Sequence, residues 1–343
     1  MRYSSICNYF MIILVFSQCS PGKKDSEENA NEEYQTIGSI ERIDSSLDEV
    51  LKKDAKIEIL AEGFTWSEGP VWVPSINSLL YSDVPENTIY KWNESEGNSV
   101  YLKPSGHTGI EPASSSGGSN GLILDHNGDL LLCQHGDRRI ARISSSQLND
   151  DSPEFASVVN RFEDKRFNSP NDLIISSSGD IYFTDPPYGL KDQDADSLKE
   201  LDYNGVYKLA SDGTLTLLID SLTRPNGIAL SPDERTLYVA NSDPEKAIWV
   251  AYGVTPSGID NGRLFFDATE KVSSLNGLPD GLKVNKEGIV FATGPGGVYI
   301  FKPDGTQIGI ILTEFATANC AFNENETVLY MTTHKYLTRI RLQ

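Results

Sequence analysis

Apolar and polar residues alternate in six pairs of short runs along this chain, and one polar residue opens each pair. The pairs are SEGPVWVPSINSLLYSD from Ser67, SNGLILDHNGDLLLCQHG from Ser119, PNDLIISSSGDIYFTDPP from Pro170, PNGIALSPDERTLYVANS from Pro225, PDGLKVNKEGIVFATGP from Pro279 and ANCAFNENETVLYMTTH from Ala318. A period of two is typical of strands, and turns such as Asn127-Gly128 between the runs are typical of tight hairpins. Each pair therefore predicts two antiparallel strands.

The same arrangement recurs at nearly regular intervals. The lead polar residues are Glu68, Asn120, Asn171, Asn226, Asp280 and Asn319, at spacings of 52, 51, 55, 54 and 39 residues. Each interval has room for further strands, such as the alternating runs 139–143 and 205–209, and no long stretch has the period of a core helix. Four strands repeated in this way are typical of propeller blades. The sequence predicts an all-β, six-bladed β-propeller with four-stranded antiparallel blades around a central metal site.

The lead residues are predicted to form a ring at one mouth of the channel, because the first strand of each propeller blade lines the axis. Four of them, Glu68, Asn171, Asn226 and Asp280, supply only oxygen donors. Two carboxylates and two amide carbonyls are a ligand set for a hard divalent cation. We expect one divalent metal ion, with Ca²⁺ as the first choice and Mg²⁺, Mn²⁺ or Zn²⁺ as alternatives.

Each ring residue also has an ordinary structural interpretation. A single Asn or Asp before a strand is commonly satisfied by hydrogen bonds to nearby backbone. Asn120 and Asn319 either contact metal or substrate or only complete the architecture.

The second strand of each pair returns to the same mouth, which brings His135 and Asp185 towards the ring. A histidine can transfer protons near neutral pH, so His135 is a candidate catalytic base, or alternatively a hydrogen-bonded structural residue. Asp185 is a candidate substrate-binding residue together with Asn120 and Asn171, or the cap of a turn. The chain has no P-loop or H-E-x-x-H motif, which disfavours the chemistries that depend on those motifs.

The N-terminus differs from the repeats. Arg2 precedes an eight-residue apolar run at 9–16, shorter than the roughly 20 residues that cross a bilayer. The run is typical of a signal peptide, and Cys19 stands where a bacterial lipoprotein carries its lipid. We expect residues 1–19 to be a lipoprotein-type signal peptide, 20–54 a charged flexible tether and 55–343 the propeller. The protein would be lipid-anchored in the cell envelope, at the periplasm or outer membrane, or alternatively secreted to the periplasm.

The charge and the cysteine content limit the kinds of partner and site that we expect. The 29 Lys and Arg residues against 49 Asp and Glu residues give a net charge of −20, and no basic stripe is visible, so nucleic acid is not expected as a partner. A cation or a neutral, sugar-like molecule suits this composition. Cys133 and Cys320 lack the paired spacing of a metal or redox site, so two buried free thiols are expected. No obligate protein partner is expected, and membrane contact only through Cys19.

Four short segments carry a family resemblance: Ser67-Glu68-Gly69-Pro70, Ser169-Pro170-Asn171-Asp172, Arg224-Pro225-Asn226-Gly227 and Pro279-Asp280-Gly281. Over residues 57–343 the chain resembles the gluconolactonase family that includes regucalcin (senescence marker protein), and more distantly the paraoxonase-like lactonases. The resemblance implies that Glu68, Asn226 and Asp280 bind the metal and that Asn171 contacts metal or substrate. His135 lies where paraoxonase-like enzymes place a catalytic His. Regucalcin-type members have a substrate-contacting Arg where this chain has Ser169.

The resemblance implies a metal-dependent hydrolase that opens the ring of a sugar-acid lactone, a small-molecule substrate. The metal would polarise the lactone carbonyl, and Asp280 or His135 would deprotonate the attacking water. Two other functions stay open at this point. One is a non-catalytic propeller that binds carbohydrate or protein, and the other is a related phosphotriesterase or esterase.

Overall fold

Six small antiparallel sheets follow one another along the chain, each built on four main strands. The structure, a computed structural model, describes residues 1, 34–110 and 117–343. The chain divides into two units after Glu33, and residues 34–343 are the second unit. The predicted six-bladed, all-β propeller is confirmed.

The first half of the propeller follows a short N-terminal segment. That segment holds β1 (Thr36–Ile37), β2 (Ser39–Arg42), a 3₁₀ helix (Ser45–Glu49) and β3 (Ile57–Glu62). Blade 1 holds β4 (Ser67–Val73), a 3₁₀ helix (Pro74–Ile76), β5 (Ser78–Asp83), β6 (Thr88–Asn93) and β7 (Gly97–Leu102). Blade 2 holds β8 (Ser119–Leu124), β9 (Leu130–Gln134), β10 (Arg139–Ile143), a 3₁₀ helix (Ser145–Gln147) and β11 (Ala156–Val159), and the ribbon β12 (Arg161–Phe162) and β13 (Lys165–Arg166) follows.

The second half repeats this plan. Blade 3 holds β14 (Leu173–Ile175), β15 (Ile181–Asp185), a 3₁₀ helix (Gln193–Ala195), β16 (Gly205–Leu209) and β17 (Leu215–Ile219). Blade 4 holds β18 (Pro225–Leu230), β19 (Thr236–Asp243), β20 (Lys246–Thr255), β21 (Gly258–Ile259) and β22 (Arg263–Asp267), and a 3₁₀ helix (Thr269–Lys271) follows. Blade 5 holds β23 (Leu282–Val284), β24 (Val290–Gly294), β25 (Gly297–Phe301) and β26 (Gln307–Leu312). The C-terminal strands are β27 (Thr317–Phe322), β28 (Val328–Thr333) and β29 (Tyr336–Arg341).

Blade 6 is completed by the other end of the chain. Its strand order is β1-β3-β29-β28-β27, so that β3 supplies the fourth strand beside β29. The pairing is antiparallel, with Tyr336 opposite Glu62 and Ile340 opposite Ile57. Hydrogen bonds between the first and last parts of the chain therefore close the ring of blades.

The segment 34–54 corrects the predicted boundary of the tether. Strand β2 pairs with β26 of blade 5, and β1 extends blade 6 beside β3. Leu47 and Leu51 are fully buried in a core cluster with residues of blades 5 and 6. These apolar side chains and backbone groups cover two sheet edges that would otherwise be unpaired. The ordered domain thus begins at Tyr34, and the predicted signal peptide, Cys19 and the tether residues 20–33 lie outside the described residues, Met1 excepted.

The first strands are irregular where the lead residues stand. The register of the first hairpin shifts between Glu68 and Val71 in blade 1, and corresponding shifts fall near Asn120, Asn226 and Asn319. A bulge turns a side chain away from the regular alternation of a strand. These irregularities place the lead side chains at the channel mouth.

Two glycines after lead residues allow neighbouring blades to approach closely. A Cβ atom at Gly69 would lie 2.0 Å from the carbonyl oxygen of Asn120, and the φ angle of Gly69 is +43°. A Cβ atom at Gly227 would lie 2.2 Å from the carbonyl oxygen of Asp280. Side chains at these positions would push the inner strands apart.

Apolar side chains fill the spaces between adjacent blades. Val73 and Leu80 of blade 1, for example, pack with Leu122 and Leu132 of blade 2. Cys133 and Cys320 are buried and free, as expected. Within the described part of the chain, no helix has both the length and the apolar character needed to cross a bilayer.

Candidate active site

One cavity of about 1030 Å³ opens at the mouth where the first strands begin. The predicted residues that line it are Glu68, Asn120, His135, Asn171, Asn226 and Asp280. We call this space the site cavity. The geometry thus brings together the four predicted metal ligands, one further ring member and the candidate base.

The two ring carboxyl groups in the site cavity, those of Glu68 and Asp280, are held in an unfavourable electrostatic environment. Burial raises the pKa of Glu68 to about 7, and the negative charge of Asp172 contributes. Burial, followed by the charges of Glu68 and Asp172, raises the pKa of Asp280 well above its ordinary value. The backbone N–H of Gly69 and the indole N–H of Trp66 donate to Glu68 over 3.1 and 3.4 Å. A cation or a proton is needed to relieve the remaining repulsion.

Three amide side chains form a directional chain that leads to Asp280. The Nδ2 atom of Asn120 donates to Oδ1 of Asn171 over 2.8 Å, and Nδ2 of Asn171 donates to Oδ1 of Asn226 over 2.6 Å. The Asn226 side chain in turn hydrogen-bonds to Asp280. The oxygens of Asn171 and Asn226 accept hydrogen bonds within this chain, so the amide oxygen that stays available to a ligand without displacing a donor is Oδ1 of Asn120.

Two buried acceptor atoms of the ring have no hydrogen-bond partner among the described residues, Oδ1 of Asn120 and Oδ1 of Asp280. Buried acceptors without a donor are costly, and a metal ion or a donor group of a substrate would satisfy them. No group of three or more His, Cys, Asp and Glu residues within the described ranges is arranged to hold a metal ion. A metal ion in the site cavity would thus depend on two carboxylates and on amide oxygens, and the ring residues fit that donor set.

His135 contacts the ring through one nitrogen. Its Nε2 atom lies 3.2 Å from Oδ1 of Asn171. Because an amide oxygen only accepts hydrogen bonds, Nε2 carries the hydrogen in this pair. Burial lowers the pKa of His135 to about 4, so its ring is neutral at pH 7. The His135 ring therefore donates to Asn171 and orients its amide.

Asp185 is placed away from the site cavity. It is fully buried, and its oxygens accept the backbone N–H groups of Asn168 and Ser169 at 2.8 and 2.7 Å. Burial raises its pKa to about 7, against the effect of those two hydrogen bonds. Asp185 thus caps the turn that leads into Asn171. It does not line the site cavity, where a substrate-binding residue would lie.

Asn319 also differs from the other ring members. Its Oδ1 atom lies 3.2 Å from Nζ of Lys283 and 2.9 Å from the backbone N of Cys320, and its Nδ2 donates to Oδ2 of Asp172 over 3.3 Å. Since Lys283 can only donate, the amide oxygen of Asn319 accepts from it, and the Asn319 side chain also hydrogen-bonds to Glu68. Asn319 completes the architecture beneath the site and does not line the site cavity.

Sequence reasoning missed two side chains of the site cavity, Tyr188 and Arg224. Burial raises the pKa of Tyr188, with a contribution from Asp280, and its hydroxyl hydrogen-bonds to Ser242 and Asn226. Arg224 directly precedes Pro225 and lies two positions before the lead residue Asn226, which was the available signal. Tyr188 directly follows Pro186-Pro187, far in sequence from any lead residue, and no pattern marked it.

Comparisons with known proteins agree with this architecture. The family described as SMP-30/Gluconolactonase/LRE-like region matches residues 66–335. A gluconolactonase of Zymomonas mobilis is 42% identical over 314 residues, which cover 89% of this chain and 86% of that protein. A regucalcin of Pongo abelii is 24% identical over 283 residues, which cover 81% of this chain and 86% of that protein.

A solved structure extends the comparison to three dimensions. The structure of a gluconolactonase from Xanthomonas campestris superposes with a TM-score of 0.76 at 30% identity, and the match covers 90% of this chain and 98% of that one. With the family match and the 42% identical relative, this shows where the chain belongs. The chain is a member of the SMP-30/gluconolactonase/LRE-like family.

Proposed function

We propose that this protein is a metal-dependent lactonase that hydrolyses the ring ester of a sugar-acid lactone. The 42% identity to a gluconolactonase over most of both chains supports a lactone hydrolase. The observation that carries the metal dependence is the pair of carboxyl groups, Glu68 and Asp280, in one cavity with an unpartnered Oδ1 on Asp280. Such a pair requires a positive charge when both groups are ionised.

Glu68, Asn171, Asn226 and Asp280 are the residues that would hold the metal ion, and Ca²⁺ is the first choice for an all-oxygen set. Both lone pairs of the Asn171 Oδ1 atom face donors, Asn120 and His135, so a ligand at this atom replaces one of them. The bound cation supplies Lewis-acid polarisation of the lactone carbonyl.

Asp280 is the proposed general base. Its unpartnered Oδ1 accepts a proton from the attacking water as the water oxygen bonds to the carbonyl carbon. When the bond between that carbon and the ring oxygen breaks, the ring oxygen takes the proton from Asp280 and becomes a hydroxyl, and the new carboxylic acid loses its proton to solvent as a carboxylate. His135 is the rival base, but its Nε2 hydrogen bond to Asn171 supports an orienting role. Tyr188 and Asn120 lie where they can hold substrate oxygens, since both line the site cavity.

Hydrolysis of glucono-δ-lactone by the purified protein, followed in a pH-stat, tests this function. Activity should be lost after treatment with chelator and dialysis, and should return with Ca²⁺. Full activity in chelator would contradict the metal dependence alone. Failure to hydrolyse any member of a panel of sugar lactones would contradict the lactonase function.

We also propose that the protein is exported and lipid-anchored through Cys19, on the basis of the apolar run and cysteine described above. Labelling of cells with a radioactive fatty acid should mark the full chain, and Cys19→Ser should abolish the label. Labelling that persists in Cys19→Ser would contradict the anchor, and unlabelled protein recovered in the periplasm would support simple secretion.

A further inference from the structure

The site cavity contains only one Lys or Arg side chain among the described residues that line it, Arg224. The same lining contributes four carboxyl groups, those of Glu68, Asp243, Glu245 and Asp280. A cavity with this charge balance attracts an anionic substrate poorly, even after a divalent cation has offset two of the carboxylates. It suits a neutral substrate whose oxygen atoms accept hydrogen bonds.

Arg224 is held in place by groups at one end of its guanidinium. Nη1 donates to the carbonyl oxygen of Thr223 over 2.8 Å and forms an ion pair with Asp194. Asp194 in turn accepts a hydrogen bond from Nδ2 of Asn204 over 3.1 Å. The Arg224 side chain is 25% exposed, and within the described residues its Nε and Nη2 atoms make no hydrogen bond. A fixed guanidinium thus keeps N–H groups available to a ligand.

Tyr188 connects Arg224 to the ring residues. The charge of Arg224 acts on the Tyr188 hydroxyl, which also hydrogen-bonds to Asn226 and is close to Asp280. Val272, Leu275 and Leu278 provide an apolar part of the same lining. A ring held by its carbonyl near Asp280 would therefore extend between an apolar surface and the Arg224 guanidinium.

We propose that Arg224 donates hydrogen bonds to the hydroxyl groups of the lactone, so that the site cavity selects neutral, hydroxyl-rich lactones. This inference rests on the proposed lactonase function and adds the substrate class and the residue that recognises it. The guanidinium has donors but no acceptor, and hydroxyl oxygens accept in the geometry of its planar fork. A lactone without hydroxyl groups gains nothing from Arg224.

The test compares Arg224→Met with wild type on glucono-δ-lactone and on unsubstituted δ-valerolactone. Loss of a hydrogen bond from a charged donor should raise KM for gluconolactone about tenfold. For δ-valerolactone, KM and kcat should stay unchanged. Arg224→Lys keeps the charge without the fork and should lie between wild type and Arg224→Met. Wild type should also hydrolyse gluconolactone more efficiently than a glucarolactone, which carries a free carboxylate.

Arg235→Met is the matched control, because Arg235 is exposed in the turn between β18 and β19. Melting temperatures verify that each variant folds. Asp194→Asn removes the ion pair that holds Arg224 and leaves Arg224 itself in place. It should raise KM for gluconolactone by a smaller factor than Arg224→Met. Equal effects of Arg224→Met on both substrates, or no effect on either, would overturn the inference alone. Wild-type protein inactive on every lactone would overturn the proposed function and this inference with it.

Discussion

Burial and the charge of the Glu68 carboxylate raise the pKa of the Asp280 carboxyl, since both side chains line one cavity and Oδ1 of Asp280 is buried there. The two groups belong to blades 1 and 5, and their residues are more than two hundred positions apart in the chain. Two buried carboxylates repel each other unless a proton or a cation lies between them. A metal ion bound at this pair would therefore compete with protons.

The first prediction follows from that competition. The pKa of Glu68 is about 7, above its ordinary value of 4.5. For a group whose pKa is raised by folding, the stabilisation is complete below the unfolded pKa and is lost as pH rises through the folded pKa. We expect the melting temperature of the metal-free protein to fall between pH 4.5 and about 7.

Thermal melts in chelator at stepped pH measure this effect. Saturating Ca²⁺ should reduce the decline at the upper end of the range, and Glu68→Gln should make it shallower without added metal, although Asp185 and Asp280, whose pKa values are also raised, still contribute. A metal-free melting temperature that rises with pH across this interval would contradict the burial of an ionisable Glu68.

Replacement of Asp280 should remove both metal binding and turnover. Asp280→Asn keeps the shape of the side chain but removes its charge and its basicity, and loss of a general base lowers the rate by about 10²–10⁴-fold. Calorimetric titration with Ca²⁺ should show weaker binding in the same variant. Asp304→Asn, at an exposed turn where Oδ1 accepts the Thr306 N–H, is the control and should match wild type in both assays. Unchanged activity in Asp280→Asn would exclude Asp280 as the base.

His135→Gln separates the two candidate bases. If His135 orients Asn171 through the 3.2 Å contact of Nε2, the variant should keep the acid limb of the pH–rate profile and lose only part of kcat. Gln can still donate to Asn171, which makes it the conservative replacement. A profile that becomes independent of pH, together with a loss of about a hundredfold or more, would instead identify His135 as the base.

A side chain at Gly69 should destabilise the propeller more than its backbone conformation alone explains. In Gly69→Ala the new Cβ would meet the Asn120 carbonyl oxygen at 2.0 Å. Gly97→Ala is the matched control, because Gly97 also has a positive φ but no atom within 4 Å of a Cβ. We expect a cost of about 1–2 kcal/mol for the control and clearly more for Gly69→Ala, measured by urea denaturation. Equal costs would show that the blades can separate freely at this point.

The N-terminal segment should be required for stability only from Tyr34 onwards. A chain that begins at residue 34 keeps β1, β2 and the buried Leu47, whereas one that begins at residue 55 loses them. We expect the first to melt at the wild-type temperature and the second far below it. Leu47→Ala in the full chain should cost about 2–5 kcal/mol, as is usual for a buried leucine. Equal melting temperatures for the two shortened chains would contradict the packing of this segment.

The strand pairs and the ring were predictable because both depend on local patterns. Alternation and hairpin turns marked the first two strands of each blade, and the lead residues Glu68, Asn120, Asn171, Asn226 and Asp280 do line one cavity. The bulges that orient these side chains left no regular signal, although a polar residue followed by glycine stands at three of the four, at Glu68, Asn120 and Asn226.

The features that the sequence did not predict correctly depend on contacts between segments that are distant in sequence. The segment 34–54 is charged and follows the predicted lipid-anchored cysteine, which is typical of a tether, and only the structure shows which sheet edges it covers. Asp185 follows a strand just as His135 does, yet its carboxylate faces the backbone of Asn168 and Ser169. Arg224 lies two positions before a lead residue, and its place in the site cavity depends on its pairing with Asp194 of blade 3.

The pairing of β3 with β29 also fixes when the protein can mature. Strand β3 at residues 57–62 can pair only after residues 336–341 have been synthesised. Nearly the whole chain must therefore leave the ribosome before blade 6 has its fourth strand. Contacts of such long sequence separation form slowly, since a large loop must first be closed. Until then, the sixth blade has an open edge and the ring of blades cannot close, so the last step of folding joins the two ends of the chain.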